Sequence, residues 1–226
     1  MNVAFLMCVI ATIAVYAVNL RVYKRWRSVL TSPLILTPAV LIAGLYAASV
    51  PFDAYVHATR SLVWMVGPLT MALAVPIYQQ RQYIKRWWPV LVVGTIVSSL
   101  VTMLVGVYLA RWFALPATIA HSLIARSVSM PFAFVVTDEL SGTRDLTTLF
   151  VIASGTTGIV IGDFLLALMR MRTPHAHGAT LGAVAQVAGV VRAHERGLPN
   201  GVMASLTMVF SGGFAVVFAP LVARLF

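Results

Sequence analysis

The residues best equipped for chemistry are Arg126, Ser127, Ser129 and Pro131, in the run Ala125-Arg126-Ser127-Val128-Ser129-Met130-Pro131-Phe132-Ala133-Phe134. One cation, two hydroxyls and a residue that cannot continue a helix interrupt an otherwise apolar stretch. A proline with two serines upstream breaks the helical hydrogen-bond ladder. At membrane depth such a break is tolerated only where protein or a water-filled cavity satisfies the freed backbone groups. Arginine's planar fork suits bidentate capture of a carboxylate. These residues therefore predict a discontinuous helix that lines a site for a small organic anion, with Arg126 facing the anion. The plainer alternative is a proline-kinked span whose Arg126 stretches to the membrane interface.

The elements that must position these residues are membrane helices. Of 226 residues, 60% are hydrophobic and 10% charged, whereas soluble domains are about 25% charged. No polar surface is available to meet water all round. A span needs about 20 apolar residues, so the chain has room for roughly six to eight spans and no separate soluble domain. The expected fold is all-α: one integral membrane domain over 1–226, a polytopic helical bundle with two proline-broken segments, discontinuous or re-entrant. The net charge of +10 does not indicate nucleic acid, because the Lys and Arg residues cluster in short stretches between apolar runs and read as orientation signals. Cys8 can form no internal disulfide. Positive charges follow the first apolar run instead of preceding it, so that run is expected to remain in the mature protein.

Residues 3–20 read as a first span, stopped by Arg21, Lys24, Arg25 and Arg27, which places the N-terminus outside. A second span is expected over 33–50 and an external amphipathic turn over Phe52–Arg60, with His57 solvated. A third span over 61–78 holds Gly67-Pro68 and ends at a second basic loop, Gln79–Arg86. A fourth covers 88–110. Beyond it, 114–141 is interrupted twice, 146–169 is a clean span, 176–193 is small and Gly-rich, and 200–223 is the last span. A re-entrant path for 114–141 puts Arg170 and Arg172 on the inner side, as the positive-inside tendency favours, whereas a full crossing puts them outside. The halves 1–113 and 114–226 each carry a proline-interrupted stretch, Gly67-Pro68 and Met130-Pro131. Such pairing points to an inverted-repeat transporter, although Pro and Gly are common in ordinary membrane helices too.

Catalytic and metal motifs are missing. His194-Glu195 lacks a second histidine one turn on, and His175 and His177 lack a third ligand, so no enzyme activity, metal or cofactor is expected. Gly155, Gly158 and Gly162, and Gly178, Gly182 and Gly189, form small-residue stripes that allow close helix packing. Gly212-Gly213 offers a further unwound point. Asp163 is either a coupling group or a residue near the membrane edge, and Arg192 and Arg196 suit interfacial anchoring.

Several stretches in order resemble the LrgB/CidB family: Gly67-Pro68-Leu69-Thr70-Met71-Ala72-Leu73-Ala74-Val75-Pro76-Ile77-Tyr78, Arg126-Ser127-Val128-Ser129-Met130-Pro131, Arg170-Met171-Arg172-Thr173-Pro174 with His177-Gly178 and Leu181-Gly182, and Ala219-Pro220-Leu221. The similarity runs from about 50 to 221. It implies a bacterial inner-membrane protein, often partnered by a small LrgA/CidA-type holin-like protein. Family members act as antiholin-like modulators of murein hydrolase activity and autolysis, and relatives include pyruvate importers and the plastid glycolate/glycerate translocator. In one departure, Gln186 stands where the family usually has a histidine in a Ser-His-Gly-rich run, which puts proton coupling through that position in doubt.

Together these readings predict transport of a small carboxylate such as glycolate, glycerate or pyruvate. Arg126, Ser127, Ser129 and Pro131 would hold the anion, helped by Gly67, Pro68 and Thr70 and by Gln186 and Arg192. Asp163 is the candidate for coupling. A homo-oligomer, in the simplest case a dimer, is expected in the bilayer. The rival is an oligomeric holin- or antiholin-like assembly without a substrate pocket.

Overall fold

The computed structural model describes residues 3–26, 31–65, 68, 71, 74–171 and 173–224, and the regular elements among them are all helical. The chain divides into two compact units, Met1–Ala72 and Leu73–Phe226.

The first unit holds α1 (Val3–Arg25), α2 (Pro33–Ala47) and α3 (Phe52–Trp64), with α1 packed on both of the others. Polar side chains on these apolar helices bond across the helix interfaces. Thr12 Oγ1 shares a hydrogen bond of 2.8 Å with the Tyr55 hydroxyl, and Asn19 Nδ2 donates to Thr37 Oγ1 at 3.1 Å. Leu6, Met7, Ile10 and Ile13 of α1 and Ile42 and Tyr46 of α2 are exposed, as a lipid-facing surface requires. Two expectations change here. Residues 52–60 form the start of α3 instead of an external turn: Pro51 caps it and Asp53 lies in its first turn, complementing the helix dipole. The 15 residues of α2 rise only about 22 Å, short of the ~30 Å hydrocarbon core. Of the expected proline-interrupted span over 61–78, residues up to Trp64 belong to α3.

The second unit begins with α4 (Ala74–Gln79) and α5 (Arg81–Trp112). It continues through α6 (Ala117–Ile124), a 3-10 turn (Ala125–Ser127), α7 (Met130–Glu139), α8 (Arg144–Leu168), α9 (Pro174–Glu195) and α10 (Leu198–Ala223). Four helices among the described residues are long and apolar enough to cross a membrane: the Leu6–Arg25 stretch of α1, and α5, α8 and α10. Only Gln80 separates α4 from α5, so Arg81, Lys85 and Arg86 ride on the first turns of α5 instead of on a loop. The 32 residues of α5 extend about 48 Å. That exceeds the hydrocarbon thickness, and the basic end can project into the polar layer.

Between these long helices the chain folds back on itself twice. In the first fold, Ser122 Oγ accepts from the Thr143 amide at 2.8 Å although 21 positions separate them; straight helix would hold them about 30 Å apart. α6 and its 3-10 turn therefore run inward, the chain breaks at Val128 and Ser129, and α7 returns. In the second fold, α9 bends at Gln186, whose φ and ψ of 53° and −130° are not helical. Arg196 Nη1 donates to His177 Nδ1 at 3.0 Å across 19 positions. A Cβ on Gly189 would fall 2.0 Å from the Leu181 carbonyl oxygen, so the two arms of α9 lie tightly against each other. Both interrupted segments whose course is described thus lie within 117–195. Gly67 and Thr70, beside the break expected at Gly67-Pro68, lie outside the described residues, and Pro68 is helical and exposed.

Side-chain register fixes the directions. Leu91 of α5 clusters with Val202, Met203 and Leu206 of α10, and Met103 and Val107 cluster with Ala215 and Ala219. Both series rise together, so α5 and α10 are parallel. Trp87 near the start of α5 meets the His175 ring at the start of α9, with ring centroids 3.9 Å apart. The α9 hairpin therefore enters from the basic end of α5, and the 117–139 hairpin from the opposite end, since α8 connects them. A hairpin and a span are followed by an inverted hairpin and span, both inside the second half of the chain.

Glycine sets the contact between α9 and α10. At Gly182 a Cβ would lie 2.2 Å from the Ala204 carbonyl oxygen, so only glycine permits this approach. α10 is a single helix through Gly212-Gly213, in place of the unwound point expected there; the ring of Phe132 lies over Gly212, 2.1 Å from where its Cβ would be.

Candidate functional site

The two hairpin tips touch. Gln186 Nε2 donates to the Arg126 carbonyl oxygen at 2.9 Å, and Ser154 Oγ of α8 donates to the same oxygen at 2.7 Å. The broken helix frees this carbonyl, and in a dry interior an unpaired one would be costly. Both breaks are thus tied to each other and to a spanning helix. Gln186 is 4% exposed and holds a positive φ, a conformation that strains a side-chain-bearing residue by about 1–3 kcal/mol. Gln186→Ala keeps the strain and loses the bond, so its melting temperature in detergent is expected to fall. Gln186→Gly loses the same bond but relieves the strain, and should melt between Gln186→Ala and the parent.

The Arg126 side chain is partly buried. Its Nη1 donates to the Thr102 carbonyl oxygen of α5 at 3.3 Å. Gly106 leaves it room, since a Cβ there would be 3.4 Å from Nη1. Among the described residues no carboxylate pairs with it: the ion pairs join Arg144 to Asp138, Arg192 to Asp163 and Glu195, and Arg196 to Asp163. A guanidinium has five N–H donors, and Arg126 is also one of the residues lining a cavity of about 680 Å³. The cavity runs between α8 and the first arm of α9, from Phe150 and Ser154 beside Arg126 to Met169 and Met171 at the basic end. Its volume falls in the range of small-molecule sites. Apart from Arg126, Ser154, Thr157 and Thr180 its walls are apolar or glycine, so an entering anion meets one full charge and few competing acceptors. The alternative of an Arg126 that extends to the interface does not match this inward bond to α5.

The other expected site residues divide. Ser127 and Ser129 are buried beside Arg126, with hydroxyls that have no hydrogen-bond partner, but neither lines the cavity. Pro131 occupies the first turn of α7, where its missing N–H is no loss. Arg192 is six residues down the second arm from Gln186, about 9 Å of helix. There it donates Nε to Asp163 Oδ2 at 3.2 Å and Nη1 to Glu195 at 2.9 Å. Arg196 Nη2 lies 2.8 Å from Asp163 Oδ1, so Asp163 clamps the returning arm of α9 to α8 through two arginines. Asp163→Asn should lower the melting temperature of the folded chain, and the difference from the parent should shrink as salt rises, because these groups are partly exposed and screened. Sequence reasoning missed Ser154 and the backbone of Thr102. Ser154 lies next to Gly155 in the small-residue stripe, which was its one signal; a carbonyl acceptor has none. Among the described residues no group of three or more His, Cys, Asp or Glu could hold a metal ion.

The profile of the LrgB-like family matches residues 12–225. The chain belongs to the LrgB-like family. It is 32% identical over 209 residues to the uncharacterized protein YwbG of Bacillus subtilis strain 168, covering 92% of this chain and 93% of that one. It is 28% identical over 214 residues to an uncharacterized protein of Haemophilus influenzae Rd, covering 95% and 93%. Identity to the uncharacterized protein YxaC of Bacillus subtilis is 27% over 218 residues, covering 96% and 95%. No solved structure matches the chain. This LrgB-like chain is a polytopic helical membrane protein, as its composition predicts.

Proposed function

We propose that this LrgB-like protein carries a small monocarboxylate of the glycolate, glycerate or pyruvate class across the bacterial inner membrane, and that it is not an enzyme. The observation that supports this reading most is the Arg126 guanidinium. It has no carboxylate partner among the described residues, and Arg126 is the one charged residue lining a largely apolar cavity where two oppositely inserted hairpins meet. A cation held in such surroundings is expensive without a counter-charge, and a carboxylate supplies one with matching geometry. Broken helices that meet near mid-depth are a recurrent feature of transport sites. Arg81, Lys85, Arg86 and Arg170 lie at one end of the second unit, so the positive-inside tendency assigns that end to the cytoplasm. Applied to Arg21, Lys24 and Arg25, the same tendency puts the N-terminus outside.

Purified protein in liposomes should take up labelled glycolate, pyruvate or lactate saturably, with unlabelled acid competing. Passage of large dyes together with non-saturable uptake would overturn the proposal in favour of a holin-like assembly.

A further inference from the structure

Buried hydroxyls away from the anion cavity have no use in the chemistry above. Thr95 and Ser99 of α5, Ser127 and Ser129 at the first hairpin tip, and Ser211 of α10 are 2–8% exposed, and none of their side-chain oxygens has a hydrogen-bond partner. Elsewhere in these helices buried or partly buried hydroxyls turn back onto the preceding turn: Thr102 bonds the Ser98 carbonyl at 2.9 Å, Thr137 that of Ala133 at 2.7 Å and Thr207 that of Met203 at 2.9 Å. Thr95, Ser99 and Ser211 forgo that partner. Ser129 stands at the N-cap of α7 yet makes no capping bond. Two positions on, Pro131 offers no N–H, and the Phe132 amide is bonded to the Ser129 carbonyl instead.

Helix register places Thr95, Ser99, Ser211 and Ser129 near one level. Leu91, Thr95, Ser99 and Met103 form one buried stripe on α5. Leu91 belongs to the apolar cluster with Leu206, and Met103 to the cluster with Ala215. Thr95 and Ser99 therefore fall between the two clusters, opposite the stretch of α10 that contains Ser211. Gly212, next to Ser211, underlies Phe132, one turn from Ser129. The result is a polar layer between two greasy ones, formed by α5, α10 and the broken tip.

The geometry points to a binding site for an alkali cation, of the sodium class, in this layer. Its donors are neutral oxygens. The six carboxylates of the chain include none among these buried groups, so nothing here would offset the desolvation of a divalent ion, which is ordinarily held by carboxylates. A monovalent ion needs no more than dipolar oxygen ligands, as in filters built from neutral oxygens. The inward arm 117–127 also ends at Ser127, where the negative end of its dipole favours a cation. Arg126 Nη1 donates to the Thr102 carbonyl, one turn along α5 beyond Ser99.

The test needs no organic anion and so stands or falls apart from carboxylate transport. The full chain in detergent is melted in sodium, potassium, lithium or choline chloride at equal ionic strength. A saturable rise of several degrees with at least one alkali ion over choline is expected. In Ser129→Ala and Ser211→Ala the half-saturating concentration should rise tenfold or more. Their melting temperatures in choline should match or exceed the parent's, because each change removes a buried hydroxyl that lacks a partner. Equal melting in all four salts, or an unaltered ion response in both variants, overturns the site. Should the variants fail to fold, binding of radioactive sodium to the parent decides: competition by unlabelled sodium but not choline supports the site, and no competable binding overturns it.

Discussion

Arg126→Ala is expected to abolish saturable carboxylate uptake in liposomes while leaving the protein folded. Removing one partner of a buried, hydrogen-bonded charge pair costs about 2–5 kcal/mol, which is roughly 30-fold to several thousand-fold in affinity. The loss should fall on the anion and not on the fold, because the tertiary bonds at this residue are mainly made by its carbonyl oxygen, held by Ser154 and Gln186; the guanidinium adds one bond of 3.3 Å to Thr102. Arg126→Lys keeps the charge and loses the fork, so it should recover part of the flux at raised KM. Flux in Arg126→Ala equal to the parent's, with equal KM, would remove the proposed anion site.

The second large effect concerns the shape of α9. In an unbroken helix Gly189→Ala would stabilise the chain by about 1 kcal/mol through propensity alone. In the folded-back arrangement the new methyl would sit 2.0 Å from the Leu181 carbonyl oxygen and 2.9 Å from the Ala185 Cβ. Backbone cannot give way as a flexible side chain does, and overpacking typically destabilises by about 1–3 kcal/mol. The melting temperature of Gly189→Ala should therefore fall, with loss of monodisperse protein on size exclusion. A rise would mean that the arms do not meet. The two structures give opposite signs, so one melting curve separates them.

Much of the architecture can be read from residue types. The scarcity of charge decided the solvent, since spans must be apolar wherever they face lipid. Pro131 and the serines before it marked the first break, because a proline leaves a ladder gap that only protein or water can fill. The second break was not legible. Gln186 is neither glycine nor proline, and its positive φ is imposed by packing: Gly182 and Gly189 allow α10 and the first arm of α9 to come close on either side. Those two glycines were read as packing residues, which they are, but their spacing about the tip did not announce a reversal.

The same limit applies at the site. Sequence alone determined that Arg126 lies at a break in an apolar helix, which is a local property of side-chain chemistry and backbone propensity. Only tertiary structure decided that its carbonyl meets Gln186 sixty residues away, that Arg192 and Asp163 are committed to each other at the basic end, and that Ser127 and Ser129 do not line the cavity. Those outcomes depend on how two hairpins inserted from opposite ends pack against α5, α8 and α10. Such long-range contacts follow from shape and register between elements, and no single stretch of the chain encodes them.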